Sequence, residues 1–263
     1  MEAETTVKKG TGRIFIIILL GLFAAFTTYY IVMVMMASSG RKAEINKEFA
    51  YKGEEKNKPD SRIFSDSAFI RLNREKSWLQ ARNILAETDS LYLSLNLPDS
   101  TAYLEINGVT VHVSHLDGIR ISKSLVNADE YAVSSMLAIP FTVRENISTI
   151  QKEPLMLKIA PKDTSEYKPD ILPDTTNSAP VNYILEMDNG IRLYVYESDN
   201  SGTIARMKFD IDDKIKTILS NLKSIASFKV PEYHPSIRLR MKKVDARIIY
   251  RALPVHGQIA VCR

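Results

Sequence analysis

One cysteine, four histidines and no glycine-rich loop leave this 263-residue chain short of the materials of most metal, redox and nucleotide chemistry. Cys262, being alone, forms no intramolecular disulfide and supplies no cysteine-based zinc site. Four scattered histidines add little to that ligand set. The ten glycines are spread singly, with neither GxGxxG nor GxxxxGK[ST], so the loops that cradle nucleotide phosphates are missing. HExxH and GxSxG are absent as well, which removes the local signatures of zinc proteases and α/β-hydrolases. Charge of one sign is also scarce. With 35 Lys+Arg against 31 Asp+Glu the formal charge is +4, too mild for a dedicated nucleic-acid binder. The composition therefore predicts no cofactor, no metal, no nucleic acid and no catalytic residues.

What the chain does have is one long apolar run. Ile14 to Met36 is free of charge over 23 residues, IFIIILLGLFAAFTTYYIVMVMM. At ~1.5 Å per residue a helix of that length crosses a ~30 Å hydrocarbon layer. It exceeds the 7–15 apolar residues typical of a cleaved signal peptide, so it is read as a retained transmembrane helix, with the lipid bilayer as its partner. Within it Gly21 and Ala25 form a small-xxx-small pair that suits close approach of another helix. Lys8, Lys9 and Arg13 precede the span, and Arg41, Lys42, Lys47 and Lys52 follow it. A short basic tail before an uncleaved span stays inside, while large domains cross regardless of charge. The expected topology is a cytoplasmic tail (1–13), a span (14–36) in a bacterial inner membrane, and a periplasmic remainder (37–263).

Past the span, 37–61 is rich in Lys, Glu, Asn and Gly and reads as a solvated stalk. Asp66 offers an N-cap to a helix over Ser67–Glu87, so 37–89 is taken as stalk plus juxtamembrane helix. Trp78 on that helix suits packing against its own domain or, as an exposed ring, a partner. Period-two alternation at Leu91, Leu93, Leu95 and Leu97 predicts a half-buried strand. Asn107-Gly108 between alternating runs predicts a hairpin with Leu104, Ile106, Val109, Val111 and Val113 on its apolar face and His112 on the other. Strands near 119–121, 139–143 and 155–160 and a helix over 128–137 complete a first unit, 90–160. A Pro-rich loop follows (161–180). The second unit, 181–263, is read as a hairpin around Asp188-Asn189-Gly190, a strand over 203–209, a helix opening at Asp212 or Asp213, the strand Ile237–Met241, a helix over 244–253 and a strand over 259–261. The fold class is α+β, a mostly antiparallel sheet with helices on one face, in two similar subunits.

The last nine residues, Val255 to Arg263, carry His256-Gly257 and Cys262-Arg263 and in this faintly resemble the L,D-transpeptidases of bacterial cell walls. That family joins an HG segment to a later SHGC(I/V)R nucleophile motif. Here the preceding Ser-His-Gly is missing and the two halves are six residues apart. The resemblance implies an alternative, a wall-directed envelope enzyme using Cys262 with His112, His115, His234 or His256. Charge points elsewhere. Residues 231–263 sum to +5 and the rest to −1. Along the strand, Arg238, Arg240 and Lys242 alternate with Ile237, Leu239 and Met241, so the three basic side chains should share one face, next to Lys243. The functional expectation is a single-pass, non-catalytic subunit of a cell-envelope assembly. It would bind other envelope proteins, or an anionic cell-wall polymer, through this basic strand and through exposed strand edges.

Overall fold

The computed structural model describes residues 9–51, 66–152, 179–199 and 203–263. Six helices and eight strands occur among them: α1 (Lys9–Glu48), α2 (Ser67–Ala86), β1 (Tyr92–Asn96), β2 (Thr101–Ile106), β3 (Val109–Ile121), α3 (Lys123–Val126), α4 (Glu130–Leu137), β4 (Phe141–Ser148), β5 (Asn182–Met187), β6 (Arg192–Glu197), α5 (Thr203–Ala226), β7 (Ser236–Met241), α6 (Lys243–Ala252) and β8 (Gln258–Cys262). They fall into two compact units. One holds α1 as far as Arg41 together with Lys214–Tyr233; the other holds Lys42–Asp213 and His234–Arg263.

In the first unit α1 is long and apolar enough to cross a membrane. Its buried side chains are Met33 and Ala37, and α5 contributes Ile225. Thr27 and Thr28 return their hydroxyls to carbonyls one turn back, which satisfies them without a partner helix.

In the second unit the sheet departs from the expected open form. The eight strands close into one barrel in the order β1-β2-β3-β7-β6-β5-β4-β8. Six junctions are antiparallel, and β6–β7 and β1–β8 are parallel. A parallel neighbour needs a crossover, and α5 is the crossover between β6 and β7. Two strands turn the corners. β3 pairs with β2 through its first half and with β7 through its second, and β4 passes from β8 to β5. Each shifts register at its corner, between Leu116 and Gly118 and between Val143 and Glu145, and such bulges bend a strand.

The barrel interior is filled by inward residues such as Leu93, Leu95, Leu185, Leu193 and Leu239, with Met136 of α4 and Ile249 of α6 in the same cluster. Ile45, 1% exposed, belongs to it too. The stretch expected as a solvated stalk is therefore helix from 37 to 48, and its one large aliphatic side chain is core. Residues 52–65, the strand expected over 155–160 and all but the end of the 161–180 loop lie outside the described residues.

Asp66 caps α2 as expected, accepting from the Ala68 amide. This helix lies over the outer face of β1, where Ala81 and Leu85 meet Tyr92 and Ala260, so β1 is buried on both faces rather than half-buried. Beneath it the wholly buried Glu105 carboxylate accepts from Arg82, from the Ser94 hydroxyl at 2.6 Å and from the Thr110 hydroxyl at 3.1 Å.

The Asn107-Gly108 turn forms with both residues at positive φ, 48° and 77°, the primed geometry that matches strand twist. Its faces differ from expectation. A bulge between Leu104 and Glu105 sets Leu104 opposite His112, while Val109, Val111 and Val113 are 64%, 59% and 55% exposed. One inserted residue is enough to move a period-two pattern to the other side of a sheet.

Candidate anion-binding cleft

Alternation along β7 buries Ile237, Leu239 and Met241 and turns Arg238 and Arg240 outward. The neighbours of β7 decide what the arginines meet. Across the antiparallel junction Arg238 stands opposite Arg120 and Arg240 opposite Gly118; across the parallel one they stand beside Tyr194 and Tyr196. The Arg238 guanidinium lies over the Tyr194 ring, 4.9 Å from its centroid. The Arg240 stem runs alongside Gly118, where a Cβ would stand in ordinary van der Waals contact with its Cδ at 3.5 Å. Arg206 and Asp210, from the start of α5, complete the walls of a cleft of about 380 Å³.

Four guanidiniums thus face one carboxylate. Asp210 accepts the Tyr196 hydroxyl at 2.6 Å, and Asp213 accepts that of Tyr194 at 2.9 Å. Burial, with Asp213 beside it, pushes the Tyr194 phenol up to about 12. Burial, then the bond to Asp210, raises Tyr196 as well. Both phenols therefore stay neutral and donate. Among the described residues no carboxylate comes within ion-pair distance of Arg120, Arg206, Arg238 or Arg240. Like charges directly opposite on adjacent strands cost about 0.5 kcal/mol rather than contributing stability. An anion bridging them would remove that cost and meet planar, bidentate donors, of which Arg238 is stacked on Tyr194.

Lys242 and Lys243 do not join this face. The strand ends at Met241, Lys242 becomes the exposed N-cap of α6 and Lys243 its first residue, so two of the expected basic side chains share the strand face instead of three. Arg120 and Arg206, which the sequence did not single out, take their place. Their signal was weak. Residues 203–209 are helix rather than strand, and stepping the stripe back from Ile215 through Ile211, Met207 and Ile204 would have moved the helix start to Thr203 and set Arg206 and Asp210 on one face.

Trp78 packs at the edge of the Ala81–Leu85–Tyr92–Ala260 cluster, with the Arg82 guanidinium 4.8 Å over its ring. It also borders a second cleft, of about 600 Å³, whose charges are mixed: Arg71, Arg74 and Arg263 against Glu75 and Asp99. The Arg263 side chain is committed to the carbonyls of Leu125 and Val126 and to Glu130. In α1, Gly21 and Ala25 lie on exposed surface, and nothing stands within 4 Å of a Cβ built on Gly21.

The four histidines are dispersed. His112 pairs with Asp245 at 3.1 Å, His234 meets the Gly190 carbonyl and His256 that of Val143, while His115 is exposed. Cys262 is buried on β8, where desolvation, with Asp99 nearby, lifts its thiol to about 11. No group of three or more His, Cys, Asp or Glu suited to a metal ion occurs among the described residues. Compared with known families, curated proteins and solved structures, the chain matches none.

Proposed function

We propose that this protein is a single-pass, non-catalytic subunit of a bacterial envelope assembly whose extracytoplasmic barrel captures an acidic segment of another envelope protein in the arginine cleft. The observation that carries this reading is the placement of Arg120 opposite Arg238 with no carboxylate among the described residues within ion-pair distance of either, an arrangement that disfavours the free fold and favours an anionic ligand. A cleft of about 380 Å³ has room for a few side chains, which fits an acid-rich strand or loop end. Tyr194 and Tyr196 supply apolar area under the charges, the composition of energetically dominant interface positions. The apolar run of α1 supports the anchor, and the basic residues before it support a cytoplasmic tail.

The test is recovery of partners by the full-length protein from detergent extracts at low salt. Arg120→Glu, Arg238→Glu and Arg240→Glu combined should leave a folded head, since surface changes of this kind cost about 0.5 kcal/mol each, and should lower recovery at least about tenfold. Lys242→Glu, outside the cleft, should recover as much partner as the parent. Equal recovery by the triple variant contradicts the proposal.

A further inference from the structure

The C-terminal half of α5 presents an apolar face that its own unit leaves uncovered. Ile215, Ile218 and Leu219 are exposed and follow at i, i+3 and i+4, in line with Ile211 one turn earlier. Beyond the helix end the same holds for Phe228, which is 86% exposed, and Val230. A stripe of this width in water signals a missing apolar neighbour.

Three observations decide what that neighbour is. First, Lys214–Tyr233 belongs to the same compact unit as the apolar span of α1. Second, its charge has one sign. From Lys214 to Pro231 there are four lysines and no acid. On the helical wheel Lys216 and Lys223 lie along one flank of the stripe and Lys214 along the other, positions from which long stems reach a headgroup while the apolar face sinks. A second copy of the same helix would oppose lysines to lysines with no acid to pair them. Third, the chain holds Phe228 at φ +53° just past the end of α5, where the Lys229 amide closes on the Ser224 carbonyl. That left-handed position usually carries glycine, and a bulky residue there costs about 1–2 kcal/mol. In water the strain brings nothing, because the ring projects into solvent. At a bilayer surface it places an aromatic ring in the acyl region.

We infer that Lys214–Val230 is an interfacial membrane segment: the Ile215, Ile218, Leu219 and Phe228 side chains insert at the boundary between headgroups and acyl chains, and Lys214, Lys216, Lys223 and Lys229 engage anionic lipid headgroups. The inference rests on α1 being a membrane span.

The experiment reads depth in the full-length protein. Single nitroxides are placed at Leu219→Cys, Phe228→Cys, Ser220→Cys and, in the span, Leu22→Cys, each in a Cys262→Ser background. The protein is reconstituted in vesicles of about three parts phosphatidylcholine to one of phosphatidylglycerol. Relaxation by oxygen, which concentrates in the bilayer, is compared with relaxation by a water-soluble nickel chelate. Expected is an oxygen-to-nickel ratio at Leu219 and Phe228 at least about threefold above that at Ser220, falling toward it in vesicles of phosphatidylcholine alone. Leu219 and Phe228 as open to nickel as Ser220, with Leu22 shielded, overturns the inference and leaves the span intact. Leu22 open to nickel takes down both. Spin–spin broadening between Leu219 labels on two copies, with Leu219 shielded from oxygen and nickel alike, names the second copy as occupant and also overturns it.

Discussion

Cys262 and Arg238 show how far a residue's meaning depends on its neighbours. The thiol is buried on the last strand, and desolvation, with Asp99 nearby, raises it to about 11 from an ordinary 9.0. Such a thiol stays protonated at physiological pH, which slows its attack on electrophiles. Native protein at pH 8 should react with iodoacetamide about a hundredfold more slowly than the same protein unfolded in urea, as the rise from 9.0 to about 11 implies; equal rates would contradict the burial of Cys262. The sign for stability follows. The folded state prefers the protonated thiol, so this contribution is complete below pH 9.0 and disappears as pH rises through about 11. The outward projection of Arg238 and Arg240 was legible in the alternation of Ile237, Leu239 and Met241. That Arg120 stands opposite was not, because register between strands more than a hundred residues apart leaves no mark in local pattern.

At the scale of elements, local chemistry was a good guide where one segment decides its own conformation. The Asp66 cap of α2, the Asn107-Gly108 hairpin and the 188–190 turn formed where turn and cap residues placed them. It failed where a distant packing partner decides. Nothing around Ile45 suggests core, since its neighbours are Lys, Glu and Asn, yet α1 extends to Glu48 and sets that one aliphatic side chain into the barrel cluster. Ile45→Ala should therefore lower stability by about 2–4 kcal/mol, a drop of roughly 5–10 °C in the midpoint of thermal unfolding followed through Trp78 fluorescence in detergent. Ser39→Ala, on an exposed part of the same helix, should leave the midpoint unchanged. Equal midpoints for parent and Ile45→Ala would remove this end of α1 from the core.

At the scale of the whole molecule, the fold class was readable and the closure was not. Alternating segments with helices between them announce an α+β chain, but the pairings that close the ring, β1 with β8 and β3 with β7, join the two ends of the folded sequence. The cleft exists only because of that closure, since β3, β6 and β7 each supply part of it. Topology gives the cleft its setting. A reporter fused after Arg263 should be active only outside the cytoplasm, and cytoplasmic activity would reverse the assigned orientation. The central claim is that the arginine cleft is where a partner docks, and the direct measurement is photocrosslinking in growing cells from a benzophenone amino acid at Arg206, which lines the cleft from α5. The account predicts a discrete adduct to an envelope protein, lost when Arg120, Arg238 and Arg240 are changed to Glu. No adduct at Arg206, or an adduct indifferent to those changes, would contradict it.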